Sequence, residues 1–368
     1  MLETLLKTTG KIDAFLDSAM VDPEIVLYGA GFALADILKT VERHGFSVMA
    51  ICDSDPAKHG SKFRDRYPVM ALGDAAARFP GARFLISSPT YFDDIEKLLR
   101  EKLAAGRVCN VDLTCAYFFD KGEFRNFLAS ELGQFEEVSA LLHDDRSRET
   151  YARVIQAHLS GDRADFERAS TGTEDLYLFH SLLKPSADTV YVDCGAYDGD
   201  TVNLFIEAAD GGYARIYAFE PDPTMQENLQ AVAEAQDGRV EIIATGVADR
   251  DGTINFAVDG VFSAIVADDL VGAEGVISIP VTKLDSFLVD EPVSIIKMDI
   301  EGGEYDALKG AAQLIRKYRP KLAVCLYHRV DDFIRIAKLI RDIVPEYKLR
   351  LEHQSNSCTD TVLFATLE

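Results

Sequence analysis

Short apolar runs alternate with stretches of helical periodicity at both ends of the chain, and the alternation lapses in the middle. Between about residues 22 and 118 the runs are "EIVLYGAG", "SVMAICDSD", "RFLISSP" and "RVCNVDL". Runs of this length separated by amphipathic segments predict βαβ units around a parallel sheet. From about 119 to 184 "FRNFLASELGQFEEVSALL", "RETYARVIQAHLSG" and "TEDLYLFHSLL" read as amphipathic helices, with no convincing strand among them. The strand pattern resumes at Thr189 with "TVYVDCGA", "ARIYAFEPD", "RVEIIATGV", "VSIIKMDIE" and "KLAVCLYHR". It closes with "YKLRLEHQ" and "DTVLFATL", near enough in sequence to form a hairpin. The pattern therefore divides the chain into an α/β domain over 1–118, a helical connector over 119–184 and a second α/β domain over 185–368.

Composition narrows the picture. The chain has 368 residues, and an apolar fraction of 48% can supply a core for each domain. No apolar run approaches the ~18 residues of a membrane span. The N-terminal "MLETLLKTTGKIDAFLDSAM" is charged throughout and lacks a secretory signal's apolar centre. Six cysteines (52, 109, 115, 194, 325 and 358) include no C-x-x-C pair, so reduced thiols in a cytoplasmic protein are expected. A formal charge of −23 argues against nucleic acid as a partner, because phosphate contacts need clustered Lys and Arg. It leaves room for a neutral or small anionic substrate.

In "VYVDCGAYDGDT", Val190 to Thr201, a strand ends at Asp193 and Gly195 and Gly199 bracket a turn into a helix beginning near Asp200. Glycines let backbone approach a ligand, and a helix N-terminus offers unpaired N–H groups. The next strand ends at Glu220, where a carboxylate can accept both ribose hydroxyls of an adenosine. The G-x-x-x-G spacing differs from the G-x-G-x-x-G that fits a pyrophosphate. Asp193 would repel a pyrophosphate, whereas the ammonium of S-adenosylmethionine suits a nearby acid. Of NAD and S-adenosylmethionine, the residues favour the methyl donor.

"DCGAYDGDT", "AFEPDP", "ADRDGTINF", "SIIKMDIEGGEYDALKGA", "RPKLAVCLYHR" and "TDTVLFA" together resemble the FkbM family of S-adenosylmethionine-dependent methyltransferases. The resemblance covers roughly Thr189 to Leu367. Its most specific part is D-x-E-G-x-E, comprising Asp299, Glu301, Gly302 and Glu304. It implies the class I methyltransferase Rossmann-like fold, a seven-stranded sheet with an antiparallel last hairpin strand. It also implies methylation of a hydroxyl on a sugar, glycan precursor or secondary metabolite. Carried onto this sequence, the donor site comprises Asp193, Gly195, Ala196, Tyr197, Gly199, Glu220, Pro221 and Asp249. Two positions depart from the pattern: Gly246 stands where Asn is frequent, and Lys283 where Thr is usual.

Asp193, Glu220, Asp299 and His328 each lie at or just past the end of an expected parallel strand, where doubly wound sheets bind ligands. Transfer of a methyl group to an alcohol needs in-line placement and removal of the hydroxyl proton. His328 is the candidate base by residue type, with Asp299 and Glu301 as competing bases whose mutual repulsion and burial would raise a pKa. A Mg²⁺ or Ca²⁺ ion held by these oxygens would equally explain the cluster. Glu304 and His353 are candidate substrate contacts, with helix capping the competing role for Glu304. Tyr177 or His180 would cover the cofactor. A nucleotide-sugar-binding module with an inactive methyltransferase half is the alternative function.

"VLYGAGFALADIL" offers a second glycine loop, Gly29 and Gly31, with Asp53 ending the following strand and Leu34 at the third glycine position. With "AICDSDPAKHG" and "YPVMALGD" it resembles small Rossmann-like domains that bind nucleotide-sugars ahead of some acyltransferases. A nucleotide-sugar site and a degenerate packing domain are the two readings of this loop.

Overall fold

The computed structural model describes residues 2–7, 10–31, 33–109, 111–113, 121–172, 175–257, 264–265 and 276–368. Cys115 and the expected 118/119 boundary fall outside them. The chain divides into two compact units. One comprises Met1–Leu132, Ala152–Ala169 and Asn356–Cys358, and the other Gly133–Tyr151, Ser170–Ser355 and Thr359–Glu368.

In the first unit the strands are β1 (Glu24–Tyr28), β2 (Ser47–Cys52), β3 (Lys62–Phe63), β4 (Tyr67–Met70) and β5 (Arg83–Ile86), in the order β3-β4-β2-β1-β5. All neighbours are parallel except β3 and β4. Side chains alternate across β1: Ile25 and Leu27 join one buried cluster with Leu34 and Ile37, while Val26 and Tyr28 join another with Phe84 and Leu99. A parallel sheet covered on both faces requires such an unbroken apolar strand. "RVCNVDL" does not become a strand. It makes one bridge, Val108 to Phe84, and then spends Cys109, Val111 and Leu113 on core packing.

The second unit carries β6 (Val190–Cys194), β7 (Arg215–Phe219), β8 (Val240–Ile243), β9 (Gly246–Val247), β10 (Gly252–Ala257), β11 (Ala264–Ile265), β12 (Val276–Thr282), β13 (Ile295–Met298), β14 (Lys321–Cys325), β15 (Lys348–His353) and β16 (Thr361–Thr366). Seven form one sheet in the order β15-β16-β14-β13-β6-β7-β8, and β9 to β12 form a small separate sheet. β16 runs antiparallel to both β14 and β15, so the closing hairpin inserts its second strand into an otherwise parallel sheet. This is the expected class I methyltransferase-like fold. The order places β6 and β13 side by side at the centre, with β7 and β14 flanking them.

Of the segment expected as a helical connector, residues 121–132 and 152–169 fall in the first unit and 133–151, 170–172 and 175–184 in the second. His158 packs edge-on against Phe166 in the first unit, and the Tyr151 hydroxyl donates to the Phe333 carbonyl (2.9 Å) in the second. Short amphipathic helices bury their apolar faces only against a core, so each joins the core it reaches. Within "TEDLYLFHSLL" the described residues, 175–183, form no α-helix. Tyr177 and Leu178, inside the single 3₁₀ turn Leu176–Leu178, take left-handed φ values of 58° and 53°, which are incompatible with right-handed helical winding.

Candidate active site

Asp193 and Lys297 are registered partners on β6 and β13, and both side chains are buried. The Lys297 ammonium lies 3.1 Å from Asp193 Oδ1 and donates to the Gly195 carbonyl at 2.6 Å. Asp193 Oδ2 accepts from the Tyr191 and Thr201 hydroxyls at 3.0 and 2.6 Å. The carboxylate expected to meet a donor ammonium is thus consumed inside the protein, and it braces the glycine loop from beneath. Burial works against the Lys297 charge, but Asp193 and Asp299 outweigh it and hold the ammonium protonated.

Gly195 has φ +81°, and a Cβ there would lie 1.8 Å from the Asp299 carbonyl oxygen. Only glycine lets the loop touch the end of β13. Gly195→Ala is expected to cost about 1–3 kcal/mol from backbone strain alone. A urea midpoint equal to the wild type's would show that the loop can retreat from Asp299.

Glu220 follows β7 and is 7% exposed. Its two oxygens accept the backbone N–H groups of Tyr197 (2.9 Å) and Asp222 (2.8 Å), which clip the glycine loop to the end of β7. Burial pushes its pKa up to about 7 against the pull of those two N–H groups. Ala196 is buried and donates to the Phe219 carbonyl, and Pro221 is half-buried beside Glu220. Gly199 (φ +94°) opens the helix Asp200–Ala209.

The D-x-E-G-x-E element curls around His328. Its Nδ1 lies 2.9 Å from Glu304 Oε1, and its Nε2 lies 3.4 Å from Asp299 Oδ1 and 3.5 Å from Glu301 Oε2. Glu304 Oε1 also accepts the Ile300 N–H at 2.8 Å, so one buried oxygen anchors both the turn and the imidazole. Glu301 sits at φ +55° and Gly302 at φ +94°, a tight left-handed pair that turns the chain from β13 into the helix Glu304–Gly310. Asp299 accepts the Tyr177 hydroxyl (2.8 Å) on Oδ2 and the Tyr327 hydroxyl (2.9 Å) on Oδ1.

These contacts sort the protons. Burial lowers the His328 pKa, but Glu304, Glu301 and Asp299 outweigh it and push the imidazole up to about 10. Burial, with the charges of Asp299 and Glu304, pushes Glu301 up to about 8. Burial also acts to raise Asp299, yet Lys297, His328 and the two tyrosine hydroxyls hold it below the usual range. These directions favour a charged imidazole, an ionised Asp299 and a protonated Glu301.

Neither expected substrate contact has a surface to use: Glu304 and His353 are 0% exposed. His353 Nδ1 pairs with Thr361 Oγ1 across the hairpin at 2.9 Å. Asp249 is engaged at the surface by Lys309 at 2.8 Å, an ion pair that lowers its pKa. His180 is exposed, whereas Tyr177 is buried with its hydroxyl on Asp299. Lys297, Tyr191, Thr201 and Tyr327 are members of the site that sequence reasoning passed over. A lysine inside an apolar strand was the one signal that could have found the first of them. Asp299, Glu304 and His328 each offer one ligand atom within 4.8 Å of the others, a set able to hold a metal ion.

Residues 193–352 match the family model described as the methyltransferase FkbM domain. The match takes in the glycine loop, Glu220 and the acid–histidine cluster. Over 157 residues, 38% of this chain, the sequence is 26% identical to 2-O-methyltransferase NoeI of Sinorhizobium fredii (strain NBRC 101917 / NGR234). The match spans 63% of that relative's length. A crystal structure of methyltransferase FkbM from Methylobacillus flagellatus KT superposes with a TM-score of 0.69 at 23% identity, covering 96% of this chain and 99% of that one. The likeness in fold thus extends beyond residues 193–352 to nearly the whole chain. Among the described residues, no helix is long and apolar enough to cross a membrane.

Proposed function

We propose that the region matching the FkbM family is an S-adenosylmethionine-dependent O-methyltransferase acting on a hydroxyl of a sugar, glycan precursor or secondary metabolite. The carrying observation is the contact between Gly195 and the Asp299 carbonyl oxygen, which brings the glycine loop against the acid–histidine cluster. The resemblance of the relative named as a 2-O-methyltransferase supports oxygen as the acceptor atom.

Glu220 suits an adenosyl ribose: each of its oxygens accepts one backbone N–H and keeps a lone pair for a hydroxyl. When bound, the donor supplies an electrophilic methyl group on a sulfonium. Asp299, ionised and held by two tyrosine hydroxyls, offers negative charge beside that group. Glu301, 23% exposed through its side chain, would once deprotonated accept the acceptor's hydroxyl proton as the C–O bond forms and the donor's S–CH₃ bond breaks to leave the neutral thioether. His328 does not take that proton. As an imidazolium it stabilises the ionised form of Glu301 and fixes its position. The buried free thiols at 52, 109, 194, 325 and 358 suit a reducing compartment, and we place the enzyme in the cytoplasm.

Calorimetry with S-adenosylmethionine tests the donor assignment. Glu220→Ala is expected to weaken binding by about 1.5–3 kcal/mol, the range for hydrogen bonds to a charged group. Unaltered affinity in a folded variant would remove Glu220 from the donor site. Absence of any donor binding by the native chain would favour the inactive-half reading instead.

A further inference from the structure

The first unit repeats, with other residues, the clip that Glu220 makes in the second. Asp53 follows β2, is 9% exposed, and accepts the Ala30 N–H of the first glycine loop on Oδ2 at 2.8 Å. Its Oδ1 accepts the Asp55 N–H at 2.9 Å. Glu220 does the same with Tyr197 in its own loop and with Asp222 two residues on. In both units the acid closing the second strand bonds the loop that follows the first. Both Glu220 oxygens and Asp53 Oδ1 accept one N–H each and keep a lone pair, whereas Asp53 Oδ2 also accepts from the Lys58 ammonium.

Three further features lie at the carboxyl ends of these strands. Gly29 has φ +118°, and a Cβ there would come within 2.8 Å of Ser88 Cβ, so Ser88 after β5 packs directly onto the loop. Ser88 is nine-tenths buried and carries a hydroxyl beside the loop. A Cβ on Gly31 would meet nothing within 4 Å, which leaves the loop backbone open on that side. Lys58 sets its ammonium 3.0 Å from Asp53 Oδ2 and 3.2 Å from the Ala30 carbonyl, placing a positive charge at the same loop. β1 lies between β2 and β5, so the site falls where the strand order reverses, the position at which open α/β sheets bind ligands.

We propose that this loop binds a ribonucleotide, with the ribose diol on Asp53 and a phosphate facing Lys58, Ser88 and the open Gly31 backbone. The carboxylate selects a diol, and the ammonium and hydroxyl select an anion. Together they describe a phosphorylated ribonucleoside better than either half alone.

The test is calorimetry on the full chain with UDP as probe, because an adenine nucleotide could also enter the Glu220 loop. Saturable UDP binding is expected, undiminished by saturating S-adenosylhomocysteine and by Glu220→Ala, and stronger than that of uridine. Asp53→Ala should weaken it about tenfold or more, the effect of ~1.4 kcal/mol. Gly31→Glu meets open space at an ordinary backbone angle, so the protein should fold while the added carboxylate abolishes UDP binding. No binding at millimolar UDP would overturn the proposal. Binding that survives Gly31→Glu would overturn it too, as would loss of binding in Glu220→Ala. Equal affinity for uridine and UDP would overturn the phosphate contact.

Discussion

Glu301→Gln is expected to lower methyl transfer by about 10²-fold or more, the scale of a lost general base, while donor binding persists. The wild-type rate should rise with pH through about 8, since Glu301 accepts a proton only once it has lost its own. It should fall again near 10, where the His328 imidazolium discharges. In the glutamine variant the rise near 8 should vanish. The stability effect has the opposite sense. The folded pKa of Glu301 lies above its ordinary 4.5, so the native state binds the extra proton between those values and loses stability as pH rises from 4.5 through 8. A neutral glutamine escapes this loss, and the variant should be at least as stable as the wild type at pH 8. Chelation should leave turnover intact if the imidazolium is the cluster's cation. A variant with full turnover and an unchanged pH profile would show that Glu301 only shapes the turn.

Lys297→Met should produce the largest loss of stability. It strands Asp193, whose Oδ1 then faces no positive charge in a fully buried site. Breaking one side of a buried pair costs about 3–5 kcal/mol, because the remaining charge is neither solvated nor compensated. Chemical denaturation should show the fall directly. The Gly195 carbonyl loses its donor as well, so the glycine loop should bind S-adenosylmethionine less well. Pairing the substitution with Asp193→Asn should recover part of the loss, since the stranded charge is then gone. A Lys297→Met protein that unfolds at the wild-type denaturant concentration would mean that water reaches the pair.

The sequence by itself determined the α/β class, the strands that build the seven-stranded sheet and the hairpin that closes it. Those features are local: apolar runs, turn residues and glycines announce themselves within a few positions. It also identified Asp299, Glu301 and His328 as one group, because each stands at the end of a strand and strand ends in such a sheet converge. Tertiary structure alone decided what each acid does. Asp193 faces inward because the β6–β13 register sets Lys297 beside it. Glu304 and His353 carry the right chemistry but are sealed, the first beneath His328 and the second against Thr361. Among the three candidate bases named from the sequence, the raised pKa of Glu301 and of His328 follows from burial and from charges distant in sequence. "TEDLYLFHSLL" has helical periodicity, yet it is bent to deliver the Tyr177 hydroxyl to Asp299, with the Tyr177 N–H held by Gln354 from the closing hairpin. Periodicity records which residues seek a core. Which core, in which register and with which proton is settled only when segments far apart in the chain meet.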